Sequence, residues 1–159
     1  MAKTLLIHPG KCTGCRMCEM ICSFRDRDNF NPQRSRVRVK KNEALGIDLP
    51  ILCLHCPQAP CSQVCPTGAI QKGPQNIVNV DPSLCDGCQV CVENCPYGAI
   101  RYEDDQILKC DLCGEEPSCV AWCPTQAISF EEVPLEERIA NRREIQKVLF
   151  DLENREDEG

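Results

Sequence analysis

Apolar residues in this chain come in runs of a few positions, each cut short by Gly, Pro, Asn or Asp. Residues 4–7, 77–80, 99–102, 106–108 and 127–130 are the clearest, and their lengths and turn-residue borders predict short β-strands. Arg34, Arg36, Arg38 and Lys40 alternate with Ser35, Val37 and Val39, the pattern of a strand with one charged face. Such a face would steer an acidic partner, or keep an exposed strand edge from pairing with other chains. Helical periodicity is clearest over residues 134–154. There Leu135, Ile139, Ile145, Val148, Leu149 and Leu152 recur at helix spacing, Pro134 suits a first turn, and Glu136 and Glu137 suit the helix dipole. That helix would either clasp a partner or fold back over the chain's own core. With so few other residues available for packing, the expectation is the partner contact, so that truncation after Val133 releases the partner and leaves the remainder assembled.

Sixteen cysteines are threaded through this pattern in four groups of four. They are Cys12, Cys15, Cys18 and Cys22; Cys53, Cys56, Cys61 and Cys65; Cys85, Cys88, Cys91 and Cys95; and Cys110, Cys113, Cys119 and Cys123. The first and third groups read C-x2-C-x2-C-x3-C, the bacterial ferredoxin spacing for iron–sulfur cubanes. The second and fourth widen one gap, to C-x2-C-x4-C-x3-C and C-x2-C-x5-C-x3-C. A C-x2-C-x2-C loop wraps three thiolates around one cluster, and the fourth cysteine points away, ligating the other cluster in two-cluster ferredoxins. Zinc is the competing metal, but its structural sites join two pairs of ligands across a loop, and histidine supplies only His8 and His55. Every ligand position is cysteine, which leaves no place for a three-iron cluster or a histidine-ligated centre. The expected cofactors are four [4Fe–4S] clusters.

Composition narrows the setting. Cysteine density of 16 in 159 residues marks either a disulfide scaffold or a metal protein. The first ten residues lack the features of a secretory leader, no twin-arginine leader is present, and no apolar run approaches a bilayer span. The expectation is a soluble, cytoplasmic protein with reduced thiols. Seven aromatic residues (four Phe, two Tyr, one Trp) make a thin hydrophobic core, so metal-binding free energy must supply folding free energy. A formal charge of −6, more negative once thiolates are counted, argues against a nucleic-acid partner.

The chain also repeats itself. An apolar segment, a proline turn and C-x-G-C occur at residues 5–15 and again at 77–88. Leu52-Cys53-Leu54-His55-Cys56, with Pro60-Cys61 and Cys65-Pro66-Thr67-Gly68-Ala69-Ile70, is matched by Lys109-Cys110-Asp111-Leu112-Cys113, with Ser118-Cys119 and Cys123-Pro124-Thr125-Gln126-Ala127-Ile128. Pro66, Pro96 and Pro124 follow the last cysteine of their groups and end a short helix. Cys22 is followed instead by Ser23 and a polar stretch, residues 25–31, where a longer helix or loop is expected. Two ferredoxin-like units, each holding one group of either type, follow from the alternation.

These motifs resemble the four-cluster iron–sulfur subunits of dimethyl sulfoxide reductase, formate dehydrogenase and hydrogenase-type complexes, and the compact ferredoxins of carbon monoxide dehydrogenase and tungsten aldehyde oxidoreductase-like enzymes. The likeness spans about residues 3–130, and Cys53-Leu54-His55-Cys56 and Lys109-Cys110-Asp111-Leu112-Cys113 are its most specific pieces. It implies an α+β fold of two nested bacterial-ferredoxin-like units, outer (1–45 and 105–132) around inner (46–104), with short strands and helices around four cubanes and a C-terminal helical tail (133–159). It further implies the ligand sets: Cys12, Cys15, Cys18 and Cys123; Cys110, Cys113, Cys119 and Cys22; Cys53, Cys56, Cys61 and Cys95; Cys85, Cys88, Cys91 and Cys65. Spacing alone also permits the first group with the second and the third with the fourth. The membrane-bound relatives carry long insertions and an anchor helix, whereas this chain has only five residues, 114–118, between Cys113 and Cys119, like the compact soluble branch.

The function implied is electron relay between a catalytic oxidoreductase subunit, with a tungsten- or molybdenum-pterin enzyme the leading expectation, and a second redox protein or flavin subunit. A freely diffusing polyferredoxin, or a partner of a hydrogenase or carbon monoxide dehydrogenase, is the alternative. An enzyme in its own right is disfavoured, because sixteen thiolates fill sixteen cluster positions and leave no open iron. His55 would tune a cluster or relay a proton, but the expectation is an imidazole packed locally. Trp122 would shield a cluster from water, or lie on an electron exit route.

Overall fold

The computed structural model describes residues 2–24 and 30–154. Most of the 25–31 stretch expected to follow the first cysteine group lies outside them. The chain is α+β, with strands and helices kept short by the turn residues between the cysteine groups. In order they are β1 (Ala2–Ile7), α1 (Met17–Phe24), β2 (Arg38–Asn42), β3 (Ile47–Ile51), α2 (Pro60–Gln63), β4 (Ile70–Lys72), β5 (Val78–Val80), α3 (Val90–Glu93), β6 (Arg101–Glu103), β7 (Gln106–Leu108), α4 (Ser118–Ala121), β8 (Ile128–Val133) and α5 (Leu135–Asn154).

Among the described residues the strands form four antiparallel pairs, β1–β8, β2–β3, β4–β5 and β6–β7. Each half of the sequence therefore runs strand, cysteine group, hairpin, cysteine group, strand. The halves join at both ends, because β4 pairs with the adjacent β5 while β1 meets β8 from the far end of the chain, Leu5 opposite Phe130 and Ile7 opposite Ile128. Helices follow the same rule: α1 packs against α4, and α2 against α3. The first and fourth cysteine groups thus share one body of contacts, and the second and third share another.

Three expectations need correction. The basic stretch is not one strand. The Asn31 carboxamide oxygen accepts the Gln33 N–H at 3.1 Å and caps a 3₁₀ turn, Pro32–Arg34, so the strand starts only at Arg38. Arg34 pairs with Asp104 of the β6–β7 turn, and Arg101 reaches back to the carbonyls of Gln33 and Ser35. These bonds latch the two halves together. Strands β3 and β4 went unpredicted, the first disguised by Pro50 and the second only three residues long.

The third correction concerns α5. Its Ile145, Leu149 and Leu152 are buried in the chain's main core beside Leu5, Ile7, Val37, Val39 and Leu49. Asn141 brackets β1, accepting the Ile7 N–H at 3.1 Å and donating to the Ile7 carbonyl at 2.7 Å. Arg142 donates to the Leu54 carbonyl at 3.0 Å, inside the second cysteine group. The helix completes the core it was expected to leave for a partner, because the thin core offers β1, β2 and β3 no other cover. Among the described residues no helix is long and apolar enough to cross a membrane.

Candidate metal centres

The cysteine loops depend on backbone conformations that the sequence repeat places in register. Two residues after the first cysteine of each group stand Gly14, His55, Gly87 and Leu112, and all four have positive φ, at 64°, 46°, 75° and 60°. Three residues after the last cysteine, Gly68, Gly98 and Gln126 do the same, at 67°, 61° and 54°. A left-handed residue reverses the chain within one step and turns successive N–H groups towards the same side, the concavity that holds anions and iron–sulfur sites. Glycine adopts it at no steric cost; His55, Leu112 and Gln126 bear about 1–2 kcal/mol each. At Gly14 and Gly87 space is also short. A Cβ there would come within 2.6 Å of the Asp48 carboxylate and 2.9 Å of the Tyr102 hydroxyl, because hairpins β2–β3 and β6–β7 close over the two loops in the same way.

Three small pockets open beneath these loops. One is lined by Cys12, Cys15, Cys18 and Cys123. A second is lined by Cys53, Cys56, Cys61 and Cys95. A third is lined by Cys65, Cys85, Cys88 and Cys91. The four remaining thiols are neighbours: charge on Cys119 would be opposed by Cys110, Cys22 and Cys113. Each fourth cysteine thus stands with three from a different group.

The sulfur environments divide by position. Burial pushes the Cys18 and Cys110 thiols up to about 12 and Cys61 up to about 11, and raises Cys119 further still. Without a metal these groups stay protonated, so metal binding must displace their protons. Cys65 and Cys123 go the other way. Burial opposes their ionisation, yet the N–H groups of Ile70 and Ala69, and of Ile128 and Ala127, with the Thr67 and Thr125 hydroxyls, hold both thiols below their ordinary range. The Ala127 N–H donates to Cys123 Sγ at 3.2 Å, Ala99 to Cys95 Sγ at 3.3 Å and Arg36 to Cys22 Sγ at 3.3 Å. These donors are aimed at sulfur, and hydrogen bonds to sulfur are one determinant of cluster potential.

The sequence reading missed these donors, although Thr67 and Thr125 hold equivalent repeat positions. It also missed two buried charges. Glu19 accepts the Val39 N–H at 2.5 Å and ties α1 to β2; Lys109 lies against the fourth group. His55 is packed locally, as expected: its Nδ1 accepts the Val78 N–H at 3.0 Å, and burial lowers its pKa to about 3, leaving the ring neutral. Trp122 lies beside Cys123 with 57 % of its surface exposed. A broad open groove, bordered by Arg36, Asn79, Cys85, Asp105, Lys109 and Cys110, runs between the third and fourth groups.

Donor chemistry and donor arrangement together test the metal. A tetrahedral zinc site draws four sulfurs to about 2.3 Å from one ion. Here four sulfurs line each pocket, yet among the described residues no three Cys, His, Asp or Glu side chains converge on a single ion. The all-thiolate sets fit [4Fe–4S] cubanes, whose irons stand apart and each take one cysteine.

Comparison with known proteins agrees. Two family models, both described as a 4Fe-4S dicluster domain, match residues 46–133 and 11–70. Electron transport protein HydN of Escherichia coli (strain K12) is 31% identical over 94% of this chain and 100% of its own. The B subunit of the anaerobic dimethyl sulfoxide reductase of the same organism is 34% identical, over 78% of this chain and 70% of its own. The aliphatic sulfonate oxidoreductase, polyferredoxin-like subunit, of Pyrococcus furiosus is 38% identical, over 75% and 70%. With one model covering more than half the chain and HydN matched along its whole length, this chain belongs to the 4Fe-4S dicluster domain family of iron–sulfur proteins.

Proposed function

We propose that this chain is a non-catalytic electron-transfer subunit that holds four [4Fe–4S] clusters in a row. The ligand sets are Cys12, Cys15, Cys18 and Cys123; Cys22, Cys110, Cys113 and Cys119; Cys53, Cys56, Cys61 and Cys95; and Cys65, Cys85, Cys88 and Cys91. Bound there, each cluster takes up and gives back one electron at a time. The observation that carries the reading is the grouping of thiols around separate cavities, with contacts between neighbouring sets. Cys18, Cys119, Cys110 and Cys53 lie in one apolar core cluster, and Cys61 shares another with Cys91. The match over residues 11–70 takes the first two groups in sequence order, but the cavity linings favour crossed sets. The packing of α1 on α4 and α2 on α3 supports an outer unit (1–45 and 105–132) around an inner one (46–104), with α5 closing the outer unit.

The chain's own residues hold the row at fixed spacing and insulate it. Tunnelling falls steeply with distance, so each set must touch the next, and the buried sets must exclude water. Cys15 and Cys88 are exposed and belong to the first and last sets, which makes them the two ends where electrons enter and leave. At one end a catalytic oxidoreductase subunit docks, a tungsten- or molybdenum-pterin enzyme; at the other, a second redox protein or flavin subunit. Two of the relatives are named as subunits of oxidoreductases, which supports stable assembly. HydN is named only as an electron transport protein, and that favours the second reading, a diffusing polyferredoxin. All sixteen cysteines are free of disulfides, which supports a reducing compartment such as the cytoplasm. Anaerobic purification of the tagged chain from its native cells, followed by metal analysis, separates the readings. A large subunit carrying tungsten or molybdenum is the expected companion; the chain alone, with its iron, would establish the diffusing carrier.

A further inference from the structure

Lys109 stands where the repeat places a fully buried leucine, Leu52, and it is buried too, with 5 % of its surface exposed. Its Nζ donates to the Val78 carbonyl and, at 3.3 Å, to the Cys110 carbonyl. Among the described residues no carboxylate forms an ion pair with it. A buried ammonium held only by neutral carbonyls is a costly arrangement unless a counter-charge lies close. Its two carbonyl acceptors belong to two different sets: Cys110 is itself a candidate ligand of one, and Val78 lines the cavity of Cys53, Cys56, Cys61 and Cys95. Each set around a cubane bears net negative charge and gains one further unit on reduction.

We infer that Lys109 is the shared counter-cation of the two inner clusters, those held by the Cys110 and Cys61 sets, and that it raises their reduction potentials above the values the thiolate shell alone would give. The inference rests on the four-cluster reading above. A fixed positive charge stabilises the reduced form of whichever neighbour holds the electron. Placed between two sets, it levels the handover from one half of the chain to the other. Leu52, its counterpart in the repeat, can do neither, so the two halves of an otherwise repeated structure become electrically unequal.

The test uses the anaerobically purified holoprotein and the variants Lys109→Leu, Lys109→Gln and Lys109→Arg, with Lys147→Leu on the exposed face of α5 as a control. Leucine copies the residue of the repeat, and glutamine keeps a donor for the carbonyls. Iron and sulfide are counted first; fewer than four clusters in the parent protein would overturn the four-cluster reading itself. Potentials are then read by electron paramagnetic resonance during a redox titration with a low-potential one-electron reductant. Two of the four transitions should move to lower potential in Lys109→Leu and Lys109→Gln, stay near the parent values in Lys109→Arg, and not move in Lys147→Leu. Cluster loss in the two neutral variants with retention in Lys109→Arg would equally mark a required counter-cation. Unchanged potentials in the neutral variants, equal shifts of all four transitions, or cluster loss in Lys109→Arg would overturn the assignment.

Discussion

Stripped of iron and kept reduced, this chain is expected to lose its cooperative fold. Most of the regular elements are too small to stand alone: among the described residues the sheets are four separate two-stranded pairs, and α2, α3 and α4 are four residues each. Isolated hairpins and single helical turns are marginal in water. Cys18, Cys53, Cys61, Cys91, Cys110 and Cys119 are themselves buried parts of the core, so removing the metal leaves thiol-lined voids where packing should be. Unfilled cavities cost a few kcal/mol each, and several of them rival the roughly 5–15 kcal/mol by which a whole domain is stable. Urea titration followed by far-ultraviolet circular dichroism should show a sharp transition for the holoprotein and a shallow drift for the iron-free chain. A transition of equal steepness in stringently iron-free material would refute this dependence.

Truncation after Val133 has the second largest expected effect, loss of the clusters themselves. It removes Ile145, Leu149 and Leu152 from the main core, the Asn141 bracket on β1 and the Arg142 bond to the second cysteine loop. Leu149→Ala alone should cost about 2–5 kcal/mol, as for other buried leucines. The whole helix should cost more than a domain of this size can lose. Visible absorbance near the iron–sulfur band, with iron content, reads the outcome. Truncated protein with its full iron complement would mean that α5 serves a partner after all.

The candidate ligands are legible in the sequence because a metal loop is local: three or four thiols within a dozen residues mark a candidate site without tertiary structure. The relation between groups was not legible in the same way. Whether Cys123 joins Cys12 or stays with its neighbours depends on β1 pairing with β8 across almost the entire chain, a contact that spacing cannot encode. The left-handed positions were half visible. Gly14, Gly87, Gly68 and Gly98 announce them, and aligning the repeats transfers the expectation to His55, Leu112 and Gln126, whose side chains hide it. The destination of α5 was misjudged because its apolar stripe is the same whether the covering surface belongs to this chain or another. Nothing in the charge pattern marks Lys109 as buried; only its repeat partner Leu52 points to an interior position.

The most direct measurement is a count of iron, acid-labile sulfide and zinc in anaerobically purified protein. The account predicts one iron and one sulfide for every cysteine, with negligible zinc. Stoichiometric zinc with little iron or sulfide would contradict it.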